Sequence, residues 1–206
     1  MPRLVDHEER RAHLLAALWR VVERDGAASI SIRHVATEAQ VSKSAIAHYF
    51  PNRLSLLSAA VEQLHSEAAM TLSRLDLDDG QVQTAVEAVC LAIPDSARRR
   101  TQSEVWLLLI SERRTDPAVR RLAMELDDRV RATIAVTLSR WVESGLIHRS
   151  RDLDIETRRL HGLIDGLSLH VLHDPETLTN EKVRRIVATH LSELAHGSAE
   201  LASASQ

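Results

Sequence analysis

Apolar residues recur every three or four positions along almost the whole chain of 206 residues, and few breakers interrupt them. Over residues 8–25 the stripe runs through Leu14, Leu15, Leu18, Trp19 and Val22, and Gly26 follows as a stop signal. Longer helices are predicted over 53–75, 81–93, 97–113, 117–144, 154–173 and 179–195. Their ends fall on turn formers: residues 76–80, Pro94, Gly145, and an Asp116 cap followed by Pro117 at the first helical position. With 6 glycines and 5 prolines the chain has too few turns for an all-β fold, so an all-α fold is expected. The Ser/Ala-rich residues 197–206 read as a disordered tail.

Between the first helix and residue 53 the pattern shortens. Ser31 caps a helix that uses Ile32, Val35, Ala36 and Ala39, and Ser42 caps another through Lys43, Ser44, Ala45, Ile46 and Ala47. The second ends at Tyr49 and Phe50, before Pro51. Helices over 31–39 and 43–49 joined by a turn at 40–42 match a helix-turn-helix. Helices this short are stable only when packed. They must bury Ile32, Val35, Ala36, Ile46 and Phe50 against the first helix, which exposes Lys43, Ser44, Ala47 and His48, with Tyr49 near the end. A cation, small side chains and hydrogen-bonding groups suit close approach to DNA. The free N–H groups at the caps Ser31 and Ser42 suit a phosphate.

The segment SISIRHVATEAQVSKSAIAHYFPNRLSLLSAAV strongly resembles the N-terminal domain of TetR-family transcriptional regulators. The matching positions are Ser31, Ala36, Val41, Ser42, Ile46, His48, Tyr49, Phe50, Arg53 and Leu56 or Leu57. Gln40 stands where the family usually has glycine at the turn, which strains a left-handed backbone, and Arg53 stands for the usual lysine. The resemblance implies that the third helix reads base edges, that Tyr49 touches a phosphate, and that Arg33 and Arg53 approach the DNA backbone. It also implies a division into a DNA-binding domain, 1–52, and a domain that binds an effector and dimerises, 53–196. The run HGLIDGLSLHVL is similar to the BetI subgroup of choline-responsive repressors, with Leu163 to Gly166 matching its Leu-Ile-Asp-Gly. By resemblance the protein is a repressor that binds a palindromic operator as a homodimer and is released by a small molecule. The coupling then runs through the helix at 53–75, the one long enough to join head and body.

Charge fits this division. The whole chain carries 26 Lys+Arg against 29 Asp+Glu, but residues 1–55 hold 8 against 6, a net of +2, leaving −5 for the rest. A mildly basic head sits on an acidic body, and a dimer neutralising about six phosphates binds with steep salt dependence.

In the body, Trp106, Ile110 and Trp141 are candidates to line an effector cavity between helices. Asp165, central in an apolar stretch, is a candidate to face the ligand. Glu104, Glu112 and Asp127 read as solvated or salt-bridged. A choline cage needs several aromatics, and only five aromatic residues exist, with Tyr49 and Phe50 in the helix-turn-helix and Trp19 in the first helix, so choline is not predicted. For the dimer, Leu163, Gly166, Leu167 and His170 on one helix are paired with Val183, Ile186, Val187 and His190 on the last. Leu191 and Leu194 complete a four-helix interface across a two-fold axis.

Other functions find little support. His170 and His173 are near enough on one helix to share a metal, but His161 lies a half-turn away, so no metal site is expected. There is no HExxH, phosphate loop or nucleophile elbow, and neither enzymatic activity nor a cofactor is expected. The second reading is a helical adaptor whose head binds a protein; an enzyme using a cavity in the body is the third. Cys90 reads as a small buried hydrophobe. The longest apolar run, 105–110, is far short of a membrane span, and the N-terminus lacks a signal-peptide core, so a cytoplasmic location with no membrane partner is expected.

Overall fold

The computed structural model describes the backbone of residues 2–196 and the side chains of residues 7–195. The tail expected at 197–206 lies outside the described residues. The elements are α1 (Pro2–Asp25), a single 3-10 turn (Ala27–Ser29), α2 (Ile32–Glu38), α3 (Lys43–Tyr49), α4 (Arg53–Leu72), α5 (Val82–Cys90), α6 (Ala97–Glu112), α7 (Pro117–Glu143), α8 (Leu153–His173) and α9 (Asn180–His196). The fold is all-α, with no strand among the described residues. Most boundaries fall within a few residues of those the sequence predicts. The exception is α1, which starts at Pro2 rather than near residue 8; a proline tolerates that place because its missing N–H would be unpaired there anyway.

Two compact units form. The first takes the described residues up to 67 together with 96–124; the second takes 68–95 and everything described from 125 on. Thus α4 is not alone in contributing to both, since α7 does so too.

In the first unit α1 packs on α2 and α6, and α2 packs on α3. Leu14, Leu18, Val21 and Val22 of α1 are buried, as are Val35, Ala36, Ile46 and Phe50 of the helix-turn-helix. Gly26 ends α1 with a φ of 79°, a conformation costly for any other residue. The Trp19 indole donates to Gln63 Oε1 at 3.1 Å, satisfying its one N–H. Arg20 Nε and Arg24 Nη1 each donate to the Glu38 carboxylate at 2.7 Å, tying α2 to α1 and holding that carboxyl below its usual range.

The second unit is built around Leu77, Val86, Val89, Ile134, Leu138, Trp141, Leu160, Ile164, Val187 and Leu191. Asp152 Oδ1 caps α8 by accepting from the N–H groups of Asp154 (3.0 Å) and Ile155 (3.2 Å). Arg140 forks onto Asp78 at 2.9 and 2.6 Å, fixing the turn before α5 to α7. Cys90 is half-buried at the edge of this core, and that burial pushes its thiol up against the pull of Arg184.

Candidate DNA-binding site

The helix-turn-helix is held by its caps. Ser31 Oγ accepts from His34 N at 3.1 Å, and Ser42 Oγ from Ala45 N at 3.1 Å. Between them Gln40 takes a φ of 56°, the only positive φ at a non-glycine among the described residues. This is the left-handed turn expected for the position. It lets α3 leave α2 with Ile46 buried, while Ser42, Lys43, Ser44, Ala45, Ala47 and His48 stay exposed.

Lys43 and Arg33 are exposed and make no hydrogen bond or ion pair among the described residues. Their charge remains available to a ligand. Ser44 Oγ lies 2.9 Å from Ser42 Oγ, so the first turn of α3 presents two hydroxyls beside Lys43. Tyr49 is half-buried, its ring 5.3 Å from that of His48 in an edge-on arrangement. Ser31 is partly buried and engaged as a cap.

Arg53 departs from its expected role. Its Nη1 and Nη2 donate to the two Glu112 carboxylate oxygens at 2.7 and 3.0 Å, and its Nε donates to the Ile30 carbonyl at 2.9 Å. All three nitrogens are committed, so Arg53 joins the start of α4 to the end of α6 instead of standing free for a phosphate.

In the body, the four candidate effector residues do not form one site within either unit. Trp106 and Ile110, both partly buried, belong to the first unit, and Trp141 and Asp165 to the second. Trp141 is 1% exposed and fills the core, which corrects the expectation that it lines a cavity. Asp165 is half-buried beside His161 Nε2 at 3.8 Å, and the same nitrogen lies 3.7 Å from Asp127. Burial raises the Asp165 pKa above the usual carboxylate range; His161 opposes the shift and Asp127 adds to it.

The interface candidates divide by face. Leu167, Val183, Val187, Leu191 and Leu194 are buried in the chain's own core and have almost no surface left to offer a partner. Ile186 and His170 are exposed, while Leu163, Gly166 and His190 are partly so. Sequence periodicity marks such a stripe without telling its use, because intrachain and interchain burial select the same residues. The outward face carries Leu169 (48% exposed), a neighbour of Leu167 in the predicted stripe, and Ile186 (39%), together with Ile155 (51%), which the stripe does not include.

Residues 14–60 match the model of the tetR family of bacterial regulatory proteins, and residues 81–196 match that of the C-terminal part of BetI-type transcriptional repressors. The chain belongs to the TetR family. Among relatives of this TetR-family protein, the HTH-type transcriptional regulator PksA of Bacillus subtilis is 27% identical over 94% of both chains. The regulator BetI of Ectopseudomonas mendocina is 29% identical over 93% of this chain and 96% of its own. Among solved structures, a transcriptional regulator from Saccharomonospora viridis in complex with choline is 26% identical, with a TM-score of 0.73 over 90% of this chain and 96% of that one. A regulator from Rhodococcus sp. Rha1, 20% identical with a TM-score of 0.74 over 91% and 96%, shares the fold.

As a TetR-family member the protein is a ligand-responsive, DNA-binding transcription regulator that works as a dimer, and it is not an enzyme. The exposed α3 residues all lie within the matched segment 14–60. None of the described helices is long and apolar enough to cross a membrane.

Proposed function

We propose that this TetR-family protein represses transcription from the cytoplasm by placing two α3 helices in the major grooves of a near-palindromic operator, and that a small molecule releases it. The observation that carries the reading is the α3 surface: Lys43, Ser44, Ala47 and His48 are exposed together, with the Lys43 charge uncompensated among the described residues. Residues 1–52 read DNA, and 53–196 sense the effector and dimerise. Ser42, Lys43, Ser44, Ala47 and His48 approach bases and phosphates; Tyr49 and Arg33 touch the backbone, and Ser31 and Ser42 present helix N–H groups.

The dimer forms on the outward faces of α8 and α9, through Ile155, Leu169 and Ile186. Gly162 and Gly166 lie on the α8 face, with nothing within 4 Å of where a Cβ would stand, which leaves room for close approach of a second helix. For the effector, the choline bound by the Saccharomonospora viridis regulator does not transfer readily. Trp19 and Trp141 are 5% and 1% exposed, so neither is free to build an aromatic cage. Asp165, a half-buried carboxylate kept beside His161 and Asp127, is the better anchor, and suits an effector with a cationic or hydrogen-bond-donating group.

Selection of duplexes from a random DNA pool by the purified protein tests the reading. It should recover an inverted repeat, and the Lys43→Ala/Tyr49→Phe double variant should bind it at least about tenfold more weakly. Failure to enrich any sequence would refute the assignment.

A further inference from the structure

The face that α1 buries continues beyond its core. Leu14, Leu18 and Val21 point inward, and steps of three and four residues back from Leu14 reach Arg11 and then His7 on the same side of the helix. There is no apolar core left for them to enter. Arg11 places its guanidinium 5.4 Å from the Phe50 ring and pairs with Glu62 of α4 at 3.8 Å. His7, one turn further out, lies against the C-terminal end of α3. Its ring centroid is 4.5 Å from that of Tyr49, tilted by 42°, and 6.0 Å from that of His48, edge-on at 71°. Three rings from two helices thus gather where α3 ends.

His7 is exposed, and its ring nitrogens make no hydrogen bond among the described residues. Packing against Tyr49 fixes the imidazole while leaving a donor free. A recognition helix reads bases from its N-terminal residues, so groups at its far end lie nearer the sugar-phosphate backbone. His7 falls outside the segment 14–60 that matches the family, and its position depends on the turns that α1 adds before residue 8.

We propose that His7 is a DNA phosphate contact, and that the start of α1 thereby extends the operator footprint past α3. The inference rests on reading α3 as the DNA-binding helix. Histidine is the side chain that gains a charge between about pH 5 and 8, and a phosphate favours its protonated form. The groups near it are His48 and Tyr49 of α3 and, one turn along α1, Arg11 with its partner Glu62. His48 is a second imidazole in the cluster, so the contribution of His7 is read as a difference between variants.

The test uses the full-length dimer and a duplex selected by the wild-type protein from a random pool, titrated at pH 6 and pH 8. His7→Phe keeps a ring against Tyr49 but has no donor, whereas His7→Ala loses both. The expected result is affinity about tenfold below wild type for both variants at pH 6, with a smaller deficit at pH 8. If His7→Phe binds like the wild type at both pH values, the proposal is overturned, and if only His7→Ala is weak, His7 merely props Tyr49. A wild-type protein that selects no sequence would overturn the reading of α3 itself, and this inference with it.

Discussion

At position 40 the backbone turns left-handed around a glutamine, at a φ of 56°. An L-residue with a Cβ loses about 1–2 kcal/mol there, and a glycine loses less but has more freedom to give up in the unfolded chain. Gln40→Gly should therefore stabilise the protein by about 0.5–1 kcal/mol, seen as a melting temperature raised by about 2–4 °C. A lower value would mean the glutamine side chain contributes something the turn geometry does not reveal. Asp165 presents the opposite kind of tension. Its folded pKa is raised by burial, so the folded state holds that proton more tightly than the unfolded one. Stability from this source is complete below the unfolded value near 3.8 and is lost as pH rises through the folded value. Asp165→Asn should thus melt a few degrees higher than wild type at pH 7, with the gap closing towards pH 4. Equal melting curves at both pH values would show that the carboxylate costs nothing, and would weaken its case as a residue retained for an effector.

The sequence predicts α3 to the residue, because Ser42 caps it and Pro51 stops the chain beyond it. Where such local signals exist, elements are legible. Two features carry none. The first turns of α1 lack an apolar stripe, so nothing announces that the helix already covers His7. Arg53 follows the predicted DNA-contacting residues in the sequence, yet its partner Glu112 lies at the end of α6, 59 residues away. No pattern in the sequence pairs two such charges. The link is partly buried and forked, and its acceptors are satisfied on both oxygens. Glu112→Gln should lower the unfolding free energy by about 1–2 kcal/mol, measured by urea denaturation. An unchanged transition would class the pair with solvent-screened surface contacts, which contribute little.

At the scale of the molecule, the apolar stripes of α8 and α9 are largely used up within one chain, leaving Ile155, Leu169 and Ile186 on the outside. A double change, Leu169→Glu with Ile186→Glu, should yield a folded monomer by light scattering, with operator affinity reduced by two orders of magnitude or more as the second head is lost. A persistent dimer would move the interface to another face. The same charges introduced at Leu167 and Leu191 would instead unfold the second unit, since both are buried there. Cys90 has a practical consequence. The chain holds one thiol, half-buried and biased towards its unreactive protonated form. A cysteine installed at the exposed Ala47 would therefore react far faster than the native one. Each dimer would then carry one spin label or fluorophore per reading head, giving a direct ruler for the distance between heads before and after an inducer is added.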